Sequence, residues 1–315
     1  MAAATLLCPR PARSQTYPDR PITLVIPFAP GGGTDVLARI LAPVLAEKLG
    51  GTIVIETVSG AAGNMGSART ARSNPDGTTL LLHNVGFAIN AALYRTLPFE
   101  SERDLLPVAF VSDSPLVILG RKTIPADTLP ELIAWMKSSP TPATLAHAGV
   151  GSASHFAIVP LATAAGKADM IPYRGGGPAM QDVIGGHADL TATPLQAAVG
   201  PASEGLAKAF AVTSAERAPM MPTVPSLADA LGPKSLTNFW SLLLTRAGTP
   251  QAITDRLRAA LEAALVEPQL LDAFAKAGVT VSAKQYRSEA GAKALLHQEI
   301  EHWREVVREN RIEAP

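Results

Sequence analysis

Short apolar runs alternate along this chain with stretches whose apolar residues recur every three to four positions. The first run, Ile22 to Ile26, is largely apolar and rich in β-branched residues, as a strand requires. It leads through Pro27-Phe28-Ala29-Pro30 into Gly31-Gly32-Gly33-Thr34-Asp35. Thr34 or a neighbour is then expected to cap a helix over about 35–49, with Val36, Leu37, Ile40, Leu41, Val44, Leu45 and Leu49 on one stripe and Gly50-Gly51 as its stop. Residues 52–58 read as a second strand and Gly60 to Gly66 as a second glycine-rich turn into a short helix. The turn signal Asn74-Pro75-Asp76-Gly77 precedes a strand over 78–83.

The same rhythm returns after Gly120. Thr128 caps a helix to about Met136, and a strand over 144–147 runs into Gly149-Val150-Gly151-Ser152-Ala153-Ser154-His155 and a small-residue helix to about Ala165. A strand over 170–173 leads to Arg174-Gly175-Gly176-Gly177-Pro178, with Pro178 suited to the first position of the next helix. Strands follow over 188–193 and 208–212. From Asn238 an apolar strand over 239–245 precedes helices over 251–266, 269–277 and 288–310. Strand, glycine turn and helix in alternation predict an α/β fold. The middle block flanked by two outer blocks predicts two lobes, 17–119 plus 240–315 and 120–239, joined by crossings near 117–121 and 236–244.

Charge removes several function classes. Twenty-seven basic residues balance 27 acidic ones, without a basic run, so neither nucleic acid nor an anionic membrane surface is an expected partner. No uncharged apolar stretch reaches the roughly 18 residues of a membrane span. The single cysteine, Cys8, excludes a disulfide framework and a thiolate cluster. Residues 1–16 stand apart from the pattern. Their small apolar start and Ala12-Arg13-Ser14 before Gln15 read as a truncated export signal or a tail, although no Lys or Arg precedes the apolar part.

Three strand-to-helix glycine turns, 30–35, 149–155 and 174–178, sit where open α/β sheets bind ligands. Glycine loops opening helices expose amide N–H groups to an anion without needing a basic side chain. Asp35 either offsets its helix dipole or braces the loop. Ser152 and Ser154 serve as helix caps or reach a ligand, and His155 reads as a packing histidine or half of a Ser–His pair. No Gly-x-Ser-x-Gly elbow, phosphate-loop Gly-Lys-Ser/Thr or complete dinucleotide fingerprint occurs. His297 and His302 with Glu299, Glu301 and Glu305 miss zincin spacing and read as a solvated helix face. These residues favour a binding cleft without catalysis, metal or cofactor. An α/β enzyme acting on a carboxylate or acyl substrate, and a solute sensor for a signalling partner, remain the alternatives.

Tyr17-Pro18-Asp19-Arg20-Pro21-Ile22, the loop 27–35, Gly60 to Gly66, Pro75-Asp76-Gly77, Gly149 to His155, Tyr173 to Ala179 and Ala247-Gly248-Thr249-Pro250 occur in that order. Together they resemble the substrate-binding proteins of tripartite tricarboxylate transporters, the Bug family, over residues 17–312. The resemblance implies a type II periplasmic-binding fold, a Venus flytrap with a mixed sheet flanked by helices in each lobe. It implies a monomeric periplasmic receptor that passes a small mono- or dicarboxylate, aromatic acids included, to membrane permease subunits. By position, the first lobe contributes Phe28, Gly32, Gly33, Thr34 and Asp35, with Asn64 and Asn84-Val85-Gly86 beside them. The second contributes Gly149, Ser152, Ser154, His155, Tyr173 and Gly176. Where many relatives have an acidic residue and then a small polar one, this chain has Thr193 and Pro194, which disfavours an amino-acid ligand.

Overall fold

The computed structural model describes residues 17–310 and 312; the expectations for residues 1–16 lie outside the described residues. Ten strands occur there: β1 (Ile22–Ile26), β2 (Ile53–Thr57), β3 (Thr79–Asn84), β4 (Leu105–Arg121), β5 (Ala143–His147), β6 (Ala168–Pro172), β7 (Leu190–Pro194), β8 (Ala207–Val212), β9 (Asn238–Arg246) and β10 (Thr280–Val281). They follow the order β2-β1-β3-β9-β4-β7-β5-β6, with β8 and β10 also paired to β4. β1 is parallel to β2 and β3, while β9 runs antiparallel to β3 and β4. At the other end β5 is parallel to β6 and β7, and β7 is antiparallel to β4. Each lobe therefore has a mixed sheet, and the α/β two-lobed fold expected from the sequence is the one present.

β4 was not anticipated. Its 17 residues serve both lobes: Leu105 to Pro115 pair with β9, and Leu116 to Arg121 pair with β7 and β8. The return crossing is equally abrupt. The Thr237 N–H bonds the Thr213 carbonyl of the second lobe, and the next residue, Asn238, faces Pro115 in the first.

Strand alternation sorts the core. Leu24, Ile26, Leu80 and Leu82 pack with Leu37, Leu41, Leu257 and Leu261 on one face of the first sheet. Val25 and Leu81 join Phe110, Trp240 and Leu296 on the other, in a cluster that continues to Leu145, Phe156 and Phe210 of the second lobe. Each such side chain, fully buried, contributes about 1.5–3 kcal/mol. Because both faces are covered, β1 and β3 read as unbroken apolar runs rather than alternating ones. No described helix is long and apolar enough to cross a membrane.

Helix starts differ from the sequence reading in two places that matter. The first helix spans Gly33–Leu49 with Gly32 as its N-cap, so Thr34 lies inside it rather than capping it. The helix after β6 spans Gly176–Gly185, and Pro178 sits third rather than first. In both cases the helix begins at a glycine, earlier than the side-chain signals indicate.

Candidate functional site

The first-lobe loop is held open from the side. Gly31 has φ +84, a left-handed conformation suited to glycine. Its N–H donates to Asp35 Oδ2 at 3.0 Å, and Arg39 Nε meets the same oxygen at 3.0 Å. Asp35, 4% exposed, thus braces the loop, and the helix has no side-chain cap. The first main-chain bond of the helix runs from Val36 N–H to the Gly32 carbonyl. Hence the amides of Gly33 and Thr34 have no partner inside their helix. Asn84, at the end of β3, completes this jaw: its Nδ2 donates to Thr34 Oγ1 at 2.9 Å and its Oδ1 accepts from the Gly86 N–H at 2.9 Å.

The second-lobe jaw is built differently. Ser152 caps the helix Ala153–Ala165, its Oγ accepting from the His155 N–H at 3.2 Å. Ser154 Oγ accepts from the Ala148 N–H at 2.8 Å, and the two hydroxyls lie 3.1 Å apart. One hydroxyl proton serves that contact and the other is left over. Beside it, Gly175 caps the helix Gly176–Gly185 without any side chain.

These pieces meet around one cavity of about 30 Å³, lined among others by Phe28, Gly32, Gly33, Thr34, Asn84, Ser152, Ser154 and Gly176. The lobes touch around it. The Ala29 N–H bonds the Arg174 carbonyl at 3.2 Å, Tyr94 Oη donates to the Val150 carbonyl at 2.9 Å, and Gln196 Nε2 reaches the Gly33 carbonyl at 3.3 Å. Gln196 Oε1 also accepts from Ser114 Oγ at 3.0 Å, so this side chain clasps the first lobe from the second. Three helix N-termini therefore open onto one space, at Gly33, Ala153 and Gly176, and no Lys, Arg or His side chain is in its wall.

The other expected residues stand behind or beside the wall. Asn64 is buried at the start of the helix Asn64–Ala71, and Gly86 supports Asn84. Gly149 packs against Ala62, and Tyr173 Oη donates to Asp182 Oδ2 at 2.5 Å, which with burial pushes the phenol up to about 12. Thr193 lies between Ala192 and Pro194, which both line the cavity; its Oγ1 would be 3.9 Å from a Cβ placed on Gly176. The His155 ring packs on His147 with centroids 4.6 Å apart, and burial lowers its pKa to about 4. His83, beneath Phe28, is lowered by burial to about 3. Sequence reasoning missed Leu116, Ala148, Ala153, Ala192, Pro194 and Phe239 of the wall, because nothing in the local pattern shows which strand face meets a cavity.

Buried polar atoms without partners gather here. Among the described residues they are Asp35 Oδ1, Asn90 Oδ1, Thr193 Oγ1, Ser241 Oγ, His83 Nε2, and Nδ1 of His147 and His155. Each belongs to a jaw loop, to a neighbour of a wall residue in chain or sheet, or, for Asn90, to the surroundings of Gly151. Buried polar groups are satisfied almost everywhere in folded proteins, so their concentration at one place marks a site built for something polar. No group of three or more His, Cys, Asp or Glu side chains able to hold a metal occurs among the described residues.

Known proteins share this sequence pattern and fold. The family model for the tripartite tricarboxylate transporter family receptor, TctC, matches residues 37–312. BugT of Bordetella pertussis is 34% identical over 302 residues, covering 95% of this chain and 92% of BugT. The solved structure of the periplasmic binding protein BugD matches with a TM-score of 0.91 at 32% identity, covering 94% of this chain and 99% of BugD. MatC of Rhodopseudomonas palustris, solved with bound malate, matches at 0.87 and 32% identity, covering 92% of this chain and all (100%) of MatC. By sequence and by fold, the chain belongs to the TctC family of tripartite tricarboxylate transporter receptors, the family of the Bug proteins.

Proposed function

We propose that this chain is a periplasmic receptor whose lobes close on a small mono- or dicarboxylate, aromatic acids included, and present it to the permease subunits of a tripartite tricarboxylate transporter. The observation that carries the reading is the convergence of three helix N-termini, from both lobes, on one cavity without a basic side chain. Each helix start favours an anion by about 0.3–2 kcal/mol, the upper end applying where water is excluded. Their unpaired amides supply the hydrogen bonds that a desolvated carboxylate needs. The likeness to MatC, solved with bound malate, supports a carboxylate as the class of ligand.

The lobes hinge where strand partners change, at Pro115/Leu116 and Thr237/Asn238, and swing apart to admit the acid. The receptor works as a monomer, since ligand contacts come from both lobes of one chain. Binding rather than turnover fits the second-lobe jaw: Ser152 meets the main-chain N–H of His155 and not its imidazole, so the serine has no base.

Differential scanning fluorimetry against a panel of organic acids tests this reading. A true ligand at about 100 times its Kd adds roughly 2.7 kcal/mol of apparent stability. A panel in which no carboxylate raises the midpoint overturns it.

A further inference from the structure

We infer that the receptor selects acids whose carbon body between the carboxylates bears no hydroxyl or amino group. This deepens the proposed function and rests on it. The cavity is polar only at the jaws. Its polar side chains are Thr34 and Asn84 on one side and Ser152 and Ser154 on the other. Between and around them the wall is Leu116, Ala148, Ala192, Pro194, Phe239 and the ring of Phe28. Leu116 and Ala192 are fully buried, and Phe28 and Phe239 nearly so.

The polar side chains are also largely committed to one another. Asn84 bridges Thr34 and the Gly86 N–H. Ser152 and Ser154 hold the His155 and Ala148 amides and each other. What they leave over is a hydroxyl proton of the serine pair, the Thr34 hydroxyl proton, the second Asn84 Nδ2 proton and the amides at the helix starts, all at the jaws, where carboxylates belong. Thr193 Oγ1 and Ser241 Oγ, the unpartnered hydroxyls near the site, are not in the wall.

A hydroxyl or ammonium substituent on the ligand body would therefore lose its water against carbon and gain no partner. A methylene or aromatic body loses nothing there and gains by burial. The structure thus assigns the wall a selective role: it admits succinate-like, longer straight-chain or aromatic dicarboxylates ahead of their hydroxy or amino counterparts. The preference is the reverse of what a malate site requires.

Isothermal titration calorimetry of the receptor with matched pairs tests it: succinate against both malate enantiomers and aspartate, glutarate against 2-hydroxyglutarate and glutamate, with adipate and phthalate as longer and aromatic arms. The unsubstituted member of each pair is expected to bind at least about ten-fold tighter. In Ala192→Ser, which adds a hydroxyl to the wall, the succinate-to-malate ratio is expected to narrow about three-fold or more for one enantiomer. Malate or aspartate binding as tightly as succinate overturns the inference while leaving the carboxylate receptor intact. An unchanged ratio in Ala192→Ser overturns the placement of the ligand body on this wall. If no member of any pair binds, the inference falls together with the receptor reading, a result unlike either of the others.

Discussion

The two jaws solve one problem with different chemistry. In the first lobe a buried carboxylate, Asp35, holds the loop from the side through the Gly31 N–H, and the helix start is left bare. In the second lobe Ser152 caps the helix and Ser154 ties down Ala148, so the hydroxyls stabilise the jaw and leave little for a guest. Bracing from outside keeps the amides free for an anion, whereas capping from within trades part of that capacity for rigidity. On the proposed reading, the first jaw would be the stronger anion holder and the second the firmer platform.

Steric blocking should separate the jaws most sharply. A Cβ on Gly177 would lie 2.0 Å from the Pro30 carbonyl oxygen across the lobes, whereas one on Gly32 would meet the Gly176 and Gly177 nitrogens at an ordinary 3.5 Å. Gly177→Ala is expected to weaken binding by at least about 100-fold, roughly 2.8 kcal/mol, with both lobes still folded. Gly32→Ala should cost less than about ten-fold. Calorimetry on the two variants decides; equal losses would mean that the lobes do not meet this closely around a ligand.

Removing the brace comes next. Asp35→Ala frees the Gly31 N–H and Arg39 together, and should lower unfolding free energy by about 1.5–3 kcal/mol and affinity by about ten-fold. Chemical denaturation and titration measure the two losses. A stability loss without an affinity loss would reduce Asp35 to a fold residue.

Acid should strain both jaws, through different histidines. Burial depresses His83 in the first lobe to about 3 and His155 in the second to about 4, against an ordinary 6.5. The unfolded chain binds protons below about pH 6.5 while these folded sites stay neutral, so stability is whole above that pH and drains as pH falls toward 4. The loss expected from His155 is on the order of 2 kcal/mol. His155→Gln should remove its share of the slope in melts between pH 7 and 4, leaving those of His83 and of His147, which burial also lowers. A variant with an unchanged slope would show that His155 is already protonated in the fold.

The smallest effect is expected at the cap. Ser152→Ala should cost about 1 kcal/mol of stability and only a few-fold in affinity, because the helix amides remain. A loss of binding as large as that of Asp35→Ala would erase the distinction between platform and holder.

Much of this was legible in the chain. Short unbroken apolar runs and period-3.6 patterns located β1, the helix Gly33–Leu49 and the strand-turn-helix units, since burial on both sheet faces leaves strands without polar alternation. The glycine turns pointed to the jaws, and Gly32, Gly33, Thr34, Ser152, Ser154 and Gly176 all line the cavity. β4 was not legible. A strand that changes lobes at Pro115/Leu116 has no local signal there, because its register is set by partners over a hundred residues away in β9. Nor was the apolar wall: which of Ala192, Thr193 and Pro194 faces the cavity depends on strand phase, and Gln196 acts only once the lobes are together.

The convergence of helix starts has a consequence for how such a receptor can diverge. A main-chain N–H cannot be removed by substitution, except by proline, so nearly every point mutation at these helix starts leaves the donors in place. The wall residues proposed to meet the ligand's middle carry no such protection. Leu116, Ala192 and Phe239 can each be exchanged without disturbing a hydrogen bond that their side chains make. A lineage built this way can keep its hold on acids as a class while its diet drifts one wall residue at a time.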